Sequence, residues 1–192
     1  MVPVSVAQVW LFAGLALLFF AFLIRTLSRA SGETGAKRDN RSRFGIILQS
    51  VGIGLAGFGP PKATLPSLGV AGLAGSVAVL VLMGGAIGLF AASSRALGRN
   101  WSVVARMRRD HELVRQGPYA RVRHPIYLGL LLFLLALAVA LGHWLNLLLA
   151  IPLFLIGTRI RTRIEDRLLE AQFGDSFRDY ARTTPAIIPK LG

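Results

Sequence analysis

What most restricts this chain is where its charges are absent. Met1 to Ile24 holds no Asp, Glu, Lys or Arg, and neither do Phe44–Phe58, Leu68–Ala92 and Ile126–Gly157. Val4–Ile24 supplies 21 residues, and at 1.5 Å per residue a helix of that length bridges a hydrocarbon core of roughly 30 Å. Leu68–Ala92 supplies 25 more. The 32 residues of Ile126–Gly157 would make a helix of roughly 48 Å, too long for one crossing. Gly142-His143-Trp144-Leu145-Asn146 breaks that run into a short helical hairpin, and Trp144 suits a membrane interface. Phe44–Phe58 is short and carries Gly45, Gly52, Gly54 and Gly57. Small residues let membrane helices approach closely, so this second helix is expected to pack against the first. Pro60-Pro61 end it. Gly72, Gly75, Gly84, Gly85 and Gly88 predict similar contact for the third.

These runs predict an all-α integral membrane protein. It has five transmembrane helices, the last two a short helical hairpin, plus a cytoplasmic C-terminal amphipathic helix. In that tail, within Thr158–Thr183, Leu168, Leu169, Phe173, Phe177 and Tyr180 recur at helical spacing between charges. A cleaved signal peptide would carry its basic residues before the apolar run. Here they follow it, beginning at Arg25, which favours a retained first helix. Loop charge then sets orientation. Of the 22 Lys and Arg, all but Lys62 lie in segments 25–43, 93–124 and 158–192. Those segments are expected in the cytoplasm, with the N-terminus outside and the C-terminus inside. Residues 1–96 hold the first three helices, and 97–192 the polar strips, the hairpin and the terminal helix.

A net charge of +13 would suit a nucleic-acid partner. The basic residues, however, alternate with hydrophobic segments instead of gathering on one soluble face, which points to membrane lipids and away from nucleic acid. The chain has no Cys, so disulfides and thiolate chemistry are excluded. Its three His lack the HExxH spacing of a zinc helix, and no metal is expected.

Polar groups crowd into HELVRQGPYARVRHPIYLG, His111 to Gly129, at the mouth of the long apolar run. Pro125 suits the first position of a helix, making His124 its cap residue. The unpaired N–H groups of that first turn attract a carboxylate, with Arg121 and Arg123 in the same field. Arg161 and Glu165 stand four apart and share a helix face, so together they could hold the two charged ends of an amino-acid-like group. Each signal has a plainer reading. Arg121 and Arg123 could be positive-inside residues meeting lipid phosphate, Arg161–Glu165 a surface ion pair, Tyr119 and Tyr127 belt aromatics, His111 a loop residue and His143 a turn residue.

Taken in order, HELV, GPYARVRHPIYLG, a hydrophobic hairpin and RTRIEDRLLEAQFGDSFRDYARTTPAIIP resemble the isoprenylcysteine carboxyl methyltransferases and related phospholipid methyltransferases. The resemblance runs from Leu97 to Pro189, about half the chain, with Gly98-Arg99-Asn100-Trp101-Ser102 as a weaker upstream element. It implies a cytoplasmic S-adenosylmethionine pocket closed by the two polar strips over the hairpin. The implied cofactor residues are His111, Glu112, Leu113, Val114, Tyr119, His124, Pro125, Ile126, Tyr127 and Glu165. Arg161 would face the reacting group of a lipidic or prenylated substrate. The sequence departs from the family at three places. Asp166 stands where a second Glu is common, Arg115-Gln116 replace small hydroxyl residues, and the short link from Trp101 to His111 suggests that Arg106 or a neighbour closes the pocket.

The implied activity is carboxyl O-methylation of a lipidic acid. The alternatives are N-methylation of an ethanolamine phospholipid, a basic membrane scaffold without catalysis, and a sterol-type membrane reductase needing NADPH. The sequence leaves oligomeric state open.

Overall fold

A computed structural model describes residues 1–29, 37–38, 42–98, 101, 106–107 and 112–188. The uncharged runs become helices α1 (Val6–Arg29), α2 (Ser42–Ala56), α3 (Val70–Leu97), α4 (Pro125–Leu141) and α5 (Leu147–Phe173), followed by α6 (Asp175–Thr183). Three segments are long and apolar enough to cross a membrane: Val6–Ser28 of α1, all of α3, and Trp144–Phe173 around α5. The helices α2 and α4 are shorter and also apolar. Two short strand pairs tie the connections. β1 (Val4–Ser5) runs parallel to β3 (Ala63–Leu65), and β2 (Lys37–Arg38) runs antiparallel to β4 (Arg106–Met107).

The hairpin between α4 and α5 forms where the sequence predicts it. Gly142 adopts a left-handed conformation (φ +72°) and its N–H reaches Ala138 and Val139 carbonyls, the geometry that glycine supplies without a Cβ penalty. A single 3₁₀ turn, Trp144–Asn146, follows. The Asn146 side chain donates to the carbonyls of Leu55 (2.9 Å) and Phe58 (3.0 Å), satisfying the end of α2. The second arm differs from expectation. α5 does not stop at the apolar boundary but continues unbroken to Phe173, because the strip RTRIEDRLLEAQ has good helix formers and no breaker. The anticipated tail helix is therefore mostly α5, and only α6, set off by Gly174 (φ +52°), is separate.

Helix α2 packs against α5 instead of α1. Its glycines explain the choice. A Cβ on Gly52 would sit 2.8 Å from the Ala150 carbonyl oxygen and 3.0 Å from the Phe154 nitrogen, and one on Gly157 would sit 2.7 Å from the Gly45 oxygen. The obstacles are backbone, which cannot step aside. Gly52→Val is thus expected to cost about 1–3 kcal/mol by overpacking, seen as a lower melting temperature in detergent. Gly14→Ala, on α1 with nothing within 4 Å of the new Cβ, should leave stability unchanged or raise it by about 0.5–1 kcal/mol. Equal melting temperatures for Gly52→Val and the parent chain would contradict the close approach.

On the other side, α1, α3 and α4 share an aromatic core. Phe19 stacks on Phe90 and Phe133 at centroid distances of 5.2 and 5.1 Å, and Phe12 on Phe133 at 5.7 Å. α4 lies between the two groups: Leu134 and Ala138 meet Ala56, Ala150 and Phe154 on the face toward α2 and α5. α1 and α2 scarcely touch. The gap between them becomes the long arm of a cavity.

Candidate functional site

The loop before α4 is held by the segment after α6. The N–H groups of Arg123 and His124 donate to the carbonyls of Pro185 and Ala186, each at 2.9 Å. This contact aims the His124 ring at α5, where Glu165 and Asp166 stand side by side. Nε2 lies 2.9 Å from Asp166 Oδ1 and Nδ1 lies 3.3 Å from Glu165 Oε2. A neutral imidazole has a single N–H, so only the imidazolium serves both carboxylates. Burial by itself lowers the His124 pKa. The bonds to Asp166 and Glu165 outweigh it and push the value up to about 9.

That shift has a consequence for stability. The folded pKa exceeds the unfolded value of about 6.5, so folding takes up a proton here. The stabilisation is complete below about pH 6.5, declines as pH rises and is gone above about pH 9, a loss of about 3 kcal/mol. Melting temperature in detergent should fall across that window, and His124→Gln should flatten the slope. An identical slope in the variant would place the transition elsewhere.

Glu165 collects a second set of partners. The Tyr127 hydroxyl donates to Oε1, and Arg161 Nη2 approaches the same oxygen at 3.8 Å. The Arg161 guanidinium also lies over the Tyr127 ring, 5.0 Å from its centroid. One carboxylate is thus shared between two cations, and it keeps acceptor capacity because a carboxylate offers about four lone-pair sites.

Arg123 is fastened on two sides. It donates to Asp166 Oδ2 (3.0 Å) and to the carbonyls of Ala181 (3.0 Å) and Thr184 (2.6 Å), capping the end of α6 as basic side chains do. It is a clamp within the protein, while Arg121 is exposed. Arg115, one of the departures noted in the sequence, donates to the Ser176 carbonyl (2.6 Å) and lies over the Tyr180 ring (5.7 Å). The Tyr180 hydroxyl donates to the Tyr119 carbonyl at 2.6 Å, and burial pushes its pKa up to about 12. Burial also raises the Tyr119 phenol above its ordinary value.

Of these groups, Tyr119, Arg123, His124, Tyr127, Arg161, Glu165 and Tyr180 border a cavity of about 740 Å³. Of the residues that the sequence singles out, Glu112, Leu113, Val114, Tyr119, His124, Ile126, Tyr127, Arg161 and Glu165 all line it. Pro125 is buried as the first residue of α4 and is not on the wall. His111 lies outside the described residues, as does the side chain of Arg106. The other arm is apolar, running between Phe20, Leu23 and Leu27 of α1 and Ile46, Ser50 and Ile53 of α2. Phe20 and Leu27 at its rim are 46% and 44% exposed, so the arm reaches the outer face of the helices. One wall residue escapes the sequence reading. Gln49 of α2 is buried and accepts a hydrogen bond from Arg161 Nη1 at 3.2 Å. Its signal was an amide amid the mostly apolar and glycine residues of α2, a helix that the sequence reading places in the membrane, where polar groups are costly enough to point to function.

Both walls of the cavity's polar end fall within or beside residues 69–176, which match the family model described as phospholipid methyltransferase. The chain belongs to the phospholipid methyltransferase family. Among its relatives, the protein-S-isoprenylcysteine O-methyltransferase of Schizosaccharomyces pombe is 36% identical over 91 residues, 46% of this chain and 38% of the relative. The cobalt-zinc-cadmium resistance protein CzcN of Cupriavidus metallidurans is 36% identical over 107 residues, 55% of this chain and 49% of that protein. The methanethiol S-methyltransferase 2 of Bradyrhizobium diazoefficiens is 38% identical over 74 residues, 38% and 27% of the two chains. The chain spans about half the length, or less, of these relatives. For this member of the phospholipid methyltransferase family, the matched block begins at α3 and ends at the start of α6, leaving α1 and α2 outside it.

Proposed function

We propose that this protein is a membrane methyltransferase that uses S-adenosylmethionine and methylates a carboxylate on a lipidic acceptor. The observation that carries the reading is one continuous cavity with two unlike ends. Its polar end joins His124, Tyr127, Arg161 and Glu165, and its apolar arm opens between α1 and α2. A water-soluble donor and a lipid-soluble acceptor would each find a suitable solvent there. The volume also falls within the roughly 300–1,000 Å³ of small-molecule sites.

The side chains fit such a donor. Glu165 has lone pairs left for an ammonium group, and the face of the Tyr127 ring can border a cation. Glu112, Leu113, Val114 and Tyr119 supply the remaining wall. When bound, S-adenosylmethionine supplies a methyl carbon that is attacked in line as its bond to sulfur breaks and the electron pair stays on sulfur. A carboxylate oxygen can make that attack without losing a proton, so no general base is needed. The protein's task is alignment and exclusion of water. Arg161 would orient the anion where the polar end meets the apolar arm, with the Tyr127 ring beneath its guanidinium. A protonated amine acceptor is disfavoured beside that cation, and it would need a base for its proton.

In this reading all five apolar helices lie in the bilayer and the polar end of the cavity faces the cytoplasm, where loop charge places it. The test is incubation of purified protein in detergent with methyl-labelled S-adenosylmethionine and a total lipid extract, followed by mass spectrometry. Label in a lipidic ester is expected. Label in phosphatidylethanolamine derivatives would move the activity to the amine, and no transfer to any lipid would remove the enzyme.

A further inference from the structure

One of the groups that hold Arg161 comes from a helix that precedes the family block. Gln49 of α2 bridges two residues of α5. Its Oε1 accepts from Arg161 Nη1 (3.2 Å) and its Nε2 donates to Thr158 Oγ1 (2.8 Å). This orientation of the amide is forced. A guanidinium has five N–H donors and no acceptor, so the amide must show it oxygen, which turns the NH₂ toward the threonine. Gln49 and Thr158 are both buried, at 4% and 1% exposed. One turn before Gln49, Gly45 leaves a slot for the arginine stem: a Cβ there would stand 2.5 Å from Arg161 Cγ. α2 therefore supplies both the channel along which Arg161 runs and the stop at its end.

The stop matters because Arg161 has a competing partner. Glu165 is four residues on along α5, and its Oε1 is 3.8 Å from Nη2, a distance that a small rotation would shorten into a tight ion pair. Such closure would draw the positive charge out of the apolar arm.

We propose that Gln49 is a positioning residue that holds the Arg161 guanidinium off Glu165, at the neck of the cavity, and so creates the binding site for the acceptor's anionic head. The idea rests on the methyltransferase reading above. It places acceptor selection in α2, whose residues 42–56 lie ahead of the matched segment 69–176.

The test compares the intact protein with Gln49→Met, which keeps the shape and removes the amide, and with Gln49→Asn, a shorter amide that cannot span both partners. Three quantities are measured in detergent: equilibrium binding of S-adenosylmethionine, equilibrium binding of S-farnesyl-N-acetylcysteine against its methyl ester, and kcat and KM for the acid. The parent chain is expected to prefer the acid over the ester by about tenfold, in keeping with a hydrogen-bonded charge. Each variant should lose most of that preference, with KM for the acid up about tenfold and donor affinity within about twofold of the parent. Asparagine carries the test if the methionine variant does not fold. Retained acid preference in a folded variant, or a matching loss of donor affinity, overturns the proposal. So does a parent chain that binds the donor but cannot tell acid from ester, an outcome that leaves methyl transfer itself standing. A parent chain that does not bind S-adenosylmethionine overturns both.

Discussion

Glu165→Gln is expected to weaken S-adenosylmethionine binding by about thirtyfold or more in calorimetry, where the parent chain should titrate in the micromolar range, about −8 kcal/mol. The reason lies in what Glu165 neutralises. His124 Nδ1 at 3.3 Å and Arg161 Nη2 at 3.8 Å both lean on its carboxylate. The neutral amide keeps the shape but leaves two cations facing an intended cationic ligand. Removing one member of a buried charge pair costs about 2–5 kcal/mol, enough to weaken micromolar binding by about thirtyfold or more. Glutamine is the better probe than alanine, which would also open a void beside Tyr127 and invite unfolding. His124 keeps its bond to Asp166 at 2.9 Å, so the loop before α4 should stay in place. Donor affinity within twofold of the parent would remove Glu165 from the cofactor shell and weaken the enzyme reading with it.

Arg161→Ala should behave in the opposite way. Donor affinity should survive while turnover falls by about a hundredfold or more, the scale associated with lost alignment of a reacting group. Arg161→Lys is the sharper control. A lysine has charge but no planar fork, so it cannot serve Gln49 and Glu165 together, and turnover should remain well below the parent. Should donor affinity and turnover collapse in parallel for both variants, Arg161 belongs with the donor and another group orients the acceptor.

Much of this architecture could be read from the chain because hydrophobic length and helix breakers act locally. The uncharged runs, the hairpin at Gly142 and the cap position of His124 each depend on a few neighbouring residues. The pairing of His124 with Glu165, 3.3 Å apart across 41 positions, was accessible only through the order of the motifs. What stayed hidden was set by packing between distant helices. Glycines in α2 announced close contact, but the expected partner, α1, is not the one: α2 lies on α5, whose Gly157 and Ala150 leave room for backbone on backbone. Gln49 offered only a costly amide, whose purpose showed once that contact brought it beside Arg161. The extent of α5 was misjudged for a local reason: a change from apolar to charged residues ends a hydrophobic surface but not a helix.

The tether between the loop before α4 and the segment after α6 has a temporal meaning. Arg123 waits for Thr184, 61 positions later, to occupy its guanidinium, and His124 waits for the Ala186 carbonyl. A chain cut short after α5 would keep every long apolar helix, yet the loop carrying His124 would lack the partners that aim its ring. The chemistry-bearing wall is therefore set in order only once α6 and the residues after it have folded back onto that loop.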